Sequence, residues 1–370
     1  MIVMNIKLNN FLSFRNFEMN FSYPRRISNS YIEEEYLKDR PNFRYKKVVV
    51  LMGSNASGKT SLGQMLNRIF QFMMRKSVDV LISSVCDRQA EASFSMDFIP
   101  DNAGLELFRF ETVIKPLSGK DEPELFSRLW RVKINKADNY ERAASRFPKN
   151  KEITGDYLSV MREVPRFGYF FTYPIDVSPS TVPEDNSGIY KGVLEKVLCT
   201  LDPSIKKVDV VKEAKNSYNI YMMTGQNILI QEGQTVDTYL LSSGTKTGIA
   251  IADILTAMKV GKYGFYYCDE RFSYIQSDLE KKVLSLMVEL LGTNKQLIFT
   301  THNTDILDMS LPQHSYMFLR KKMIEAKPEI VSMNATEYLS SSSSSLRHAV
   351  ENDLFSFMPN TALLDEIINL

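Results

Sequence analysis

Gly53-Ser54-Asn55-Ala56-Ser57-Gly58-Lys59-Thr60 has the residue types and the spacing to hold a row of phosphates. The run fits G-x-x-x-x-G-K-[ST]. Its two glycines let the backbone curl until N–H groups converge on one point, a concavity that favours an anion. Lys59 adds positive charge toward a β- and γ-phosphate, and the Thr60 hydroxyl is a ligand for Mg²⁺. Lys46 to Met52 reads as a short buried strand, and Ser61 to Phe70 as an amphipathic helix whose N-terminus offers further unpaired N–H groups. A glycine-rich turn alone would not require Lys-Thr at its end. The run predicts a bound nucleotide.

Three further groups follow in order. Asp269-Glu270 closes an apolar run from Tyr263 to Cys268, of the sort buried in a parallel sheet. Carboxylates at the carboxyl end of such a strand lie where open α/β sheets bind ligands. Asp269 is placed to hold Mg²⁺, directly or through water, and Glu270 to polarise an attacking water. Before them, Leu241-Ser242-Ser243-Gly244-Thr245-Lys246 opens a helix. Ser242, Ser243 and Gly244 put hydroxyl and N–H donors at that helix start, a second anion-binding device that read alone is an ordinary cap. After them, Thr300-Thr301-His302-Asn303 ends the next strand, where a neutral imidazole can donate to a γ-phosphate oxygen.

The elements that must position these groups are legible as patterns. Ile6, Leu8, Phe11, Phe14, Phe17, Met19 and Phe21 suggest two antiparallel strands with a tight connection. Tyr23 to Tyr45 is polar and charged and reads as a surface excursion. Ser93 to Phe98, Leu105 to Ile114 and Leu125 to Ile134 are strand-like and predict an antiparallel sheet beside the nucleotide core. Asp138 to Asp156 reads as helix or loop, Gly168 to Val177 as a strand, and 189–202 as a helix. Three strands follow between Val208 and Gln231, then a helix from Gly244 to Met258. The apolar strand, a helix from Leu279 to Leu291 and the strand from Gln296 to Thr300 form a βαβ unit. Ser340 to Ser345 is a flexible linker by composition. Beyond it Leu346, Val350, Leu354, Phe355, Phe357 and Leu363 are apolar enough to dock back.

With 370 residues the chain can build a full core, as one large domain or two ordinary ones. A formal net charge of +1 gives no global attraction to nucleic acid or to an anionic membrane, so any basic surface must be local. No apolar run approaches the length of a bilayer span, and the first residues lack the pattern of a signal peptide. Cys86, Cys199 and Cys268 are isolated, and neither they nor His302, His314 and His348 have metal-site spacing. The expectation is a cytoplasmic protein.

Taken in order, GSNASGKT, LSSGTK, YYCDE and TTHN resemble the Walker A, signature, Walker B and switch-histidine motifs of ATP-binding-cassette (ABC) ATPases. Asn10-Phe11-Leu12-Ser13-Phe14-Arg15 ahead of the phosphate loop resembles the chromosome-maintenance (SMC) and RecF-like branch. Within it, the forms of the signature and the switch resemble OLD-like (AAA_15-type) ATPases of bacterial phage-defence systems, such as the ATPase subunits of PARIS-type or retron- and Septu-associated systems. The resemblance covers roughly residues 1–75 and 225–370.

It implies an α/β fold: a P-loop ABC-ATPase head with a mixed, largely parallel core sheet, helices on both sides and an antiparallel strand-rich lobe. Residues 1–370 would form one head, with 1–90 and 205–370 as nucleotide-binding core, 91–204 as an inserted region and 340–345 as linker. It further implies ATP and Mg²⁺ as cofactors, and a head-to-tail homodimer or higher oligomer in which Ser242 to Gly244 of one protomer complete the site of another. Phe14 or Arg15 would lie near the adenine. Two departures stand out. Ser243 and Thr245 replace the family's common Gly and Gln, and no glutamine is evident for the metal, since Gln89 alone lies between Gln71 and Gln226. Slow hydrolysis is therefore expected.

Two functions compete. One is an ATP-dependent switch that controls a separate effector, with a phage-encoded protein as trigger. The short stretch after His302 leads one to expect no fused nuclease, and the middle reads as lacking coiled-coil arms. The other is a RecF- or SMC-like repair ATPase that binds DNA through Arg25-Arg26, Lys206-Lys207 or Arg320-Lys321-Lys322. Short clusters of this kind are usually solvated faces. A transporter motor fits poorly with the N-terminal strand pair and the strand-rich insertion.

Overall fold

The computed structural model describes residues 1–27, 30–101, 105–117, 123–147, 152–173, 188–231, 234–235, 242–272, 274–324, 327–339, 345–355 and 367. Strand β5 (Val48–Met52), with all five residues buried, runs through the middle of a six-stranded sheet. The order is β10 (Tyr169–Thr172), β15 (Phe265–Asp269), β16 (Gln296–Thr301), β5, β17 (Tyr316–Ile324) and β18 (Lys327–Asn334). The first five are parallel, and β18 returns antiparallel to β17. Parallel strands covered on both faces must be apolar on both faces. Val49 and Leu51 accordingly face helix α1 (Lys59–Arg75), while Val48, Val50 and Met52 face α6 (Ser243–Val260) and α7 (Ser277–Leu290).

A second six-stranded sheet, wholly antiparallel, has the order β2 (Phe17–Asn20), β1 (Ile2–Asn9), β6 (Ala92–Ile99), β7 (Glu106–Ile114), β8 (Leu125–Lys133) and β9 (Ile153–Gly155). Helix α1 lies between the two sheets. Its Phe72 ring meets Phe94 and Phe110 of the antiparallel sheet at 6.3 and 6.2 Å, and Phe70 packs edge-on against Phe265 of β15 at 5.1 Å. Such aromatic packing fixes the helix that carries Lys59. Gln296 joins the sheets: its Oε1 accepts from the Val3 N–H at 2.9 Å, and its Nε2 donates to the carbonyls of Val3 and Lys46, each at 3.1 Å.

A four-stranded sheet, β11 (Ile205–Val210), β12 (Tyr218–Met222), β13 (Asn227–Gln231) and β14 (Gln234–Thr235), covers α5 (Ile189–Leu201) and α6 through Leu198, Ile220, Ile228 and Ile249. Among the described residues the remaining elements are the hairpin β3 (Tyr36–Leu37) and β4 (Arg40–Arg44), short helices α2 (Asp79–Ile82), α3 (Tyr140–Ala144), α4 (Tyr157–Arg162), α8 (Ala335–Tyr338) and α9 (Leu346–Glu351), and the 3₁₀ turns Thr304–Asp308 and Gln313–Ser315. Among the described residues no helix is long and apolar enough to cross a membrane.

Three expectations need correction. Tyr23 to Tyr45 is more than a surface excursion, because Ile32, Leu37, Phe43 and Tyr45 are buried and Glu35 Oε1 lies 2.6 Å from His314 Nε2 in the interior. The sheets divide the chain differently from boundaries at 90 and 204: β1 and β2 belong to the sheet of β6–β9, and β10 belongs to the core. Of the C-terminal apolar residues, Leu346, Val350 and Phe355 are buried, with Phe355 stacked on Phe318 at 4.0 Å, but Leu354 is exposed. Phe357, Leu363 and the serines 340–344 lie outside the described residues.

Candidate nucleotide site

Where β5 ends, the chain has no room for a side chain. A Cβ on Gly53 would lie 2.5 Å from both the Leu319 carbonyl and Ser57 Oγ. Further along the loop, the backbone enters the left-handed region at Ala56 (φ 61°) and again at Gly58 (φ 105°), a conformation that glycine adopts without penalty. Helix α1 then starts at Lys59 with no side-chain cap and no acidic residue in its first turn. Its positive dipole end therefore faces the loop with no acid of its own first turn to offset it. Asn55 and Ala56 are exposed, Ser54, Thr60 and Ser61 are half-buried, and the buried Ser57 Oγ has no hydrogen-bond partner. The loop is built to receive an anion.

Lys59 is buried at 4% exposure. Its Nζ donates to the Gly53 carbonyl at 2.6 Å and the Ser54 carbonyl at 3.1 Å, and lies 3.0 Å from Glu270 Oε1. The Tyr267 hydroxyl of β15 donates to the Lys59 carbonyl at 2.7 Å, so the acidic strand clamps the start of the helix.

One hydroxyl fixes both carboxylates. Thr300 Oγ1 donates to Asp269 Oδ1 at 2.7 Å and accepts from the Glu270 N–H at 2.9 Å. Asp269 is fully buried, and burial pushes its carboxyl above the ordinary range; the Thr60 and Thr300 hydroxyls oppose the shift, Glu270 adds to it, and the Lys59 charge opposes it. Its Oδ2 is buried without a hydrogen-bond partner. An orphaned carboxylate oxygen beside the Thr60 hydroxyl is a hard-oxygen donor set, and Thr60 with Asp269 fits Mg²⁺. Glu270 takes φ 38°, a strained value for a non-glycine residue. His302 follows β16, half-exposed, with Nδ1 4.0 Å from Glu270 Oε1. Lys59, Glu270 and His302 are thus brought together from α1, β15 and β16.

The cap on α6 is held by its own first turn. Ser242 Oγ accepts from the Thr245 N–H at 3.1 Å and lies 2.8 Å from the Thr245 hydroxyl, while Ser242 and Ser243 are exposed and Gly244 is half-buried. A Cβ on Gly244 would lie 3.7 Å from the carbonyl of Tyr274, whose ring is exposed. These partners are the cap's own first turn and Tyr274, none of them a residue of the phosphate loop. Leu241 lies outside the described residues.

The adenine expectation fails for Phe14. Its ring is fully buried and packs against Phe17 at 4.7 Å, because the β1–β2 connection folds into the core. Arg15 is half-buried beside a cavity of ≈ 270 Å³ lined also by Asn9, Asp87, Glu91 and Lys327, with no phosphate-loop residue in its wall. Sequence reasoning also missed two contributors. Thr300 stood in the switch motif, but its hydroxyl's hold on both carboxylates was not visible. Glu280 on α7 holds the residues on either side of His302.

A phosphate loop between parallel strand and helix, an acidic pair at the end of a strand one removed from it in the same sheet, and an antiparallel sheet over α1 make the fold of an ABC-type ATPase head. Solved SMC heads share it. A crystal structure of an SMC head bound to the C-winged-helix domain of ScpA is 15% identical, with 92% of this chain and 100% of that chain covered and a TM-score of 0.51. An SMC head with an extended coiled coil, bound to the C-terminal domain of ScpA and derived from Pyrococcus furiosus, is 12% identical, with 90% and 97% covered and a TM-score of 0.51. No family model matches the sequence, and no curated protein does.

Proposed function

We propose that the chain binds and hydrolyses ATP, and that this cycle is a switch controlling a separate effector, a nuclease or toxin, in bacterial defence against phage. The observation that carries the catalytic part is the meeting of Lys59, Glu270 and His302, with 3.0 and 4.0 Å separating Glu270 Oε1 from the other two. A triphosphate in the loop outcompetes one carboxylate for the Lys59 ammonium, because it carries more charge. Glu270, released by Lys59, then takes a proton from a water that attacks the γ-phosphorus, with ADP as the leaving group. His302 donates to the γ-phosphate oxygens. Thr60 and Asp269 would hold Mg²⁺, which would supply positive charge to neutralise the phosphates.

Exposed Ser242 and Ser243 at the cap support a composite site, in which two protomers face head to tail and each lends its Ser242–Gly244 cap to the other's γ-phosphate. A phage-encoded protein would trigger the switch. Defence itself rests on the resemblance of the motifs to OLD-like ATPases. The test is phage challenge of cells carrying this chain with its neighbouring gene: protection should vanish with Lys59→Ala. The second reading, an SMC-like DNA-binding ATPase, draws on the shared fold and on exposed Arg25, Arg26, Lys206 and Lys321. Salt-sensitive DNA binding by the chain alone, with no effect on phage growth, would favour it.

A further inference from the structure

Glu280 reads in the sequence as one acid on an amphipathic helix, yet it is only 6% exposed. It shares the buried face of α7 with Val283, Leu284 and Met287, where an apolar side chain would pack as well. Both its oxygens are used. Oε1 accepts from the Thr301 hydroxyl at 2.8 Å, and Oε2 accepts from Asn303 Nδ2 at 2.7 Å. The two donors flank His302. The rest of the turn is tied in the same way: the Asn303 N–H donates to Thr301 Oγ1 at 3.0 Å, and Asn303 Oδ1 accepts from the Asp305 N–H at 3.0 Å. Ser277, one turn before Glu280, accepts from Asn303 Nδ2 at 3.0 Å and donates to Asp305 Oδ2 at 2.7 Å.

His302, in contrast, is half-exposed and 4.0 Å from Glu270, so its own contacts do not lock it. Its place is set by the backbone on either side. Burial raises the Glu280 carboxyl, opposed by Asn303, Thr301 and the His302 charge, and Asp305 adds to the rise. Burying an acid costs stability, and the hydrogen bonds from Thr301 and Asn303 offset that cost only while both are made.

We propose that Glu280 is the positioning residue that holds His302 toward Glu270 and the γ-phosphate by gripping Thr301 and Asn303 from α7. This rests on the ATP-hydrolysis reading of the site. Glu280 acts through His302 and touches no substrate. Releasing both grips lets the imidazole drift by the ~1 Å that typically costs about a hundredfold in rate.

The test uses the full chain, with turnover at saturating ATP and Mg²⁺ and ATP affinity measured separately. Glu280→Ala should lower turnover roughly ten- to a hundredfold while ATP affinity stays within about twofold. Glu280→Gln should keep most of the turnover, since its amide can accept from Asn303 and donate to the Thr301 hydroxyl. In a His302→Ala background, Glu280→Ala should cost nothing further. Thr301→Val, which releases one grip, gives an intermediate loss with the same dependence on His302 and carries the test if Glu280→Ala does not fold. Losses that multiply between Glu280→Ala (or Thr301→Val) and His302→Ala, or a Glu280→Gln as slow as Glu280→Ala, overturn the positioning role. A wild-type chain that binds ATP without turning it over, alone or assembled, overturns the underlying reading instead.

Discussion

Glu270→Gln should change two quantities in opposite directions. The amide keeps the shape but cannot take a proton, and the loss of a general base lowers turnover by about 10²–10⁴-fold. Nucleotide affinity should rise. Glu270 Oε1 sits 3.0 Å from Lys59 Nζ, with Lys59 4% and Glu270 23% exposed, so the pair is largely shielded from water. A charge-assisted hydrogen bond of this kind is worth about 1.5–3 kcal/mol, and a neutral one about 1 kcal/mol. The substitution therefore leaves the ammonium cheaper to redirect by about 1 kcal/mol, and it removes a negative charge that repels the γ-phosphate. Together these give roughly a tenfold tighter ATP complex. Equilibrium binding of a fluorescent ATP analogue, alongside steady-state phosphate release, reads both. An unchanged turnover would remove Glu270 from the chemistry. A weaker ATP complex with slow turnover would show that the Lys59–Glu270 pair does not compete with nucleotide.

Two other perturbations follow from the same geometry. Lys59→Ala should abolish ATP binding in a folded protein, since it deletes the charge that faces the phosphates; tight binding by this variant would contradict the site. Asp269→Asn should raise the melting temperature of the nucleotide-free chain near neutral pH while removing turnover. The sign follows from linkage: an acid raised on folding binds more protons in the native state, so its contribution to stability falls as pH climbs from the unfolded value of 3.8 through the folded one. Every tenfold weakening of the acid on folding costs about 1.4 kcal/mol at a pH above both values. The gain from Asn should shrink as the pH is lowered into that window. An advantage that is constant with pH, in melting curves at several pH values, would show that the buried charge is not its source.

The local parts of the site were legible in the sequence because they are local. Gly53 to Thr60 needs only its own backbone and its two flanks, and Asp269-Glu270 announces itself by ending an apolar strand. Strands β6, β7 and β8 declared themselves by alternation. Phe14 shows the limit: alternation says that a side chain is buried but not what covers it, and here the core takes it rather than an adenine. The pairing of β1 with β6, and of β10 with β15, joins segments about 90 residues apart that share no local signal. The grip of Glu280 on Thr301 and Asn303 was hidden for the same reason, since a glutamate on a helix carries no mark of what it reaches. The Lys59–Glu270 contact needed the fold to bring α1 against the end of β15.

In the proposed shared ATP site the phosphate loop would come from one protomer and the Ser242–Gly244 cap from the other, and complementation between two inactive chains tests this. Ser242→Arg puts bulk and charge on the exposed cap and leaves the chain's own loop intact, whereas Lys59→Ala does the reverse. Each variant alone should bind or fail to bind ATP according to its loop, and neither should hydrolyse it. Mixed in equal amounts and allowed to exchange, half of the dimers would be mixed, and each of these would hold one site with an intact loop facing an intact cap. Steady-state phosphate release from the mixture should then recover to about a quarter of the wild-type rate. Full ATPase activity from a Ser242→Arg chain that stays monomeric throughout the assay would contradict the shared site outright.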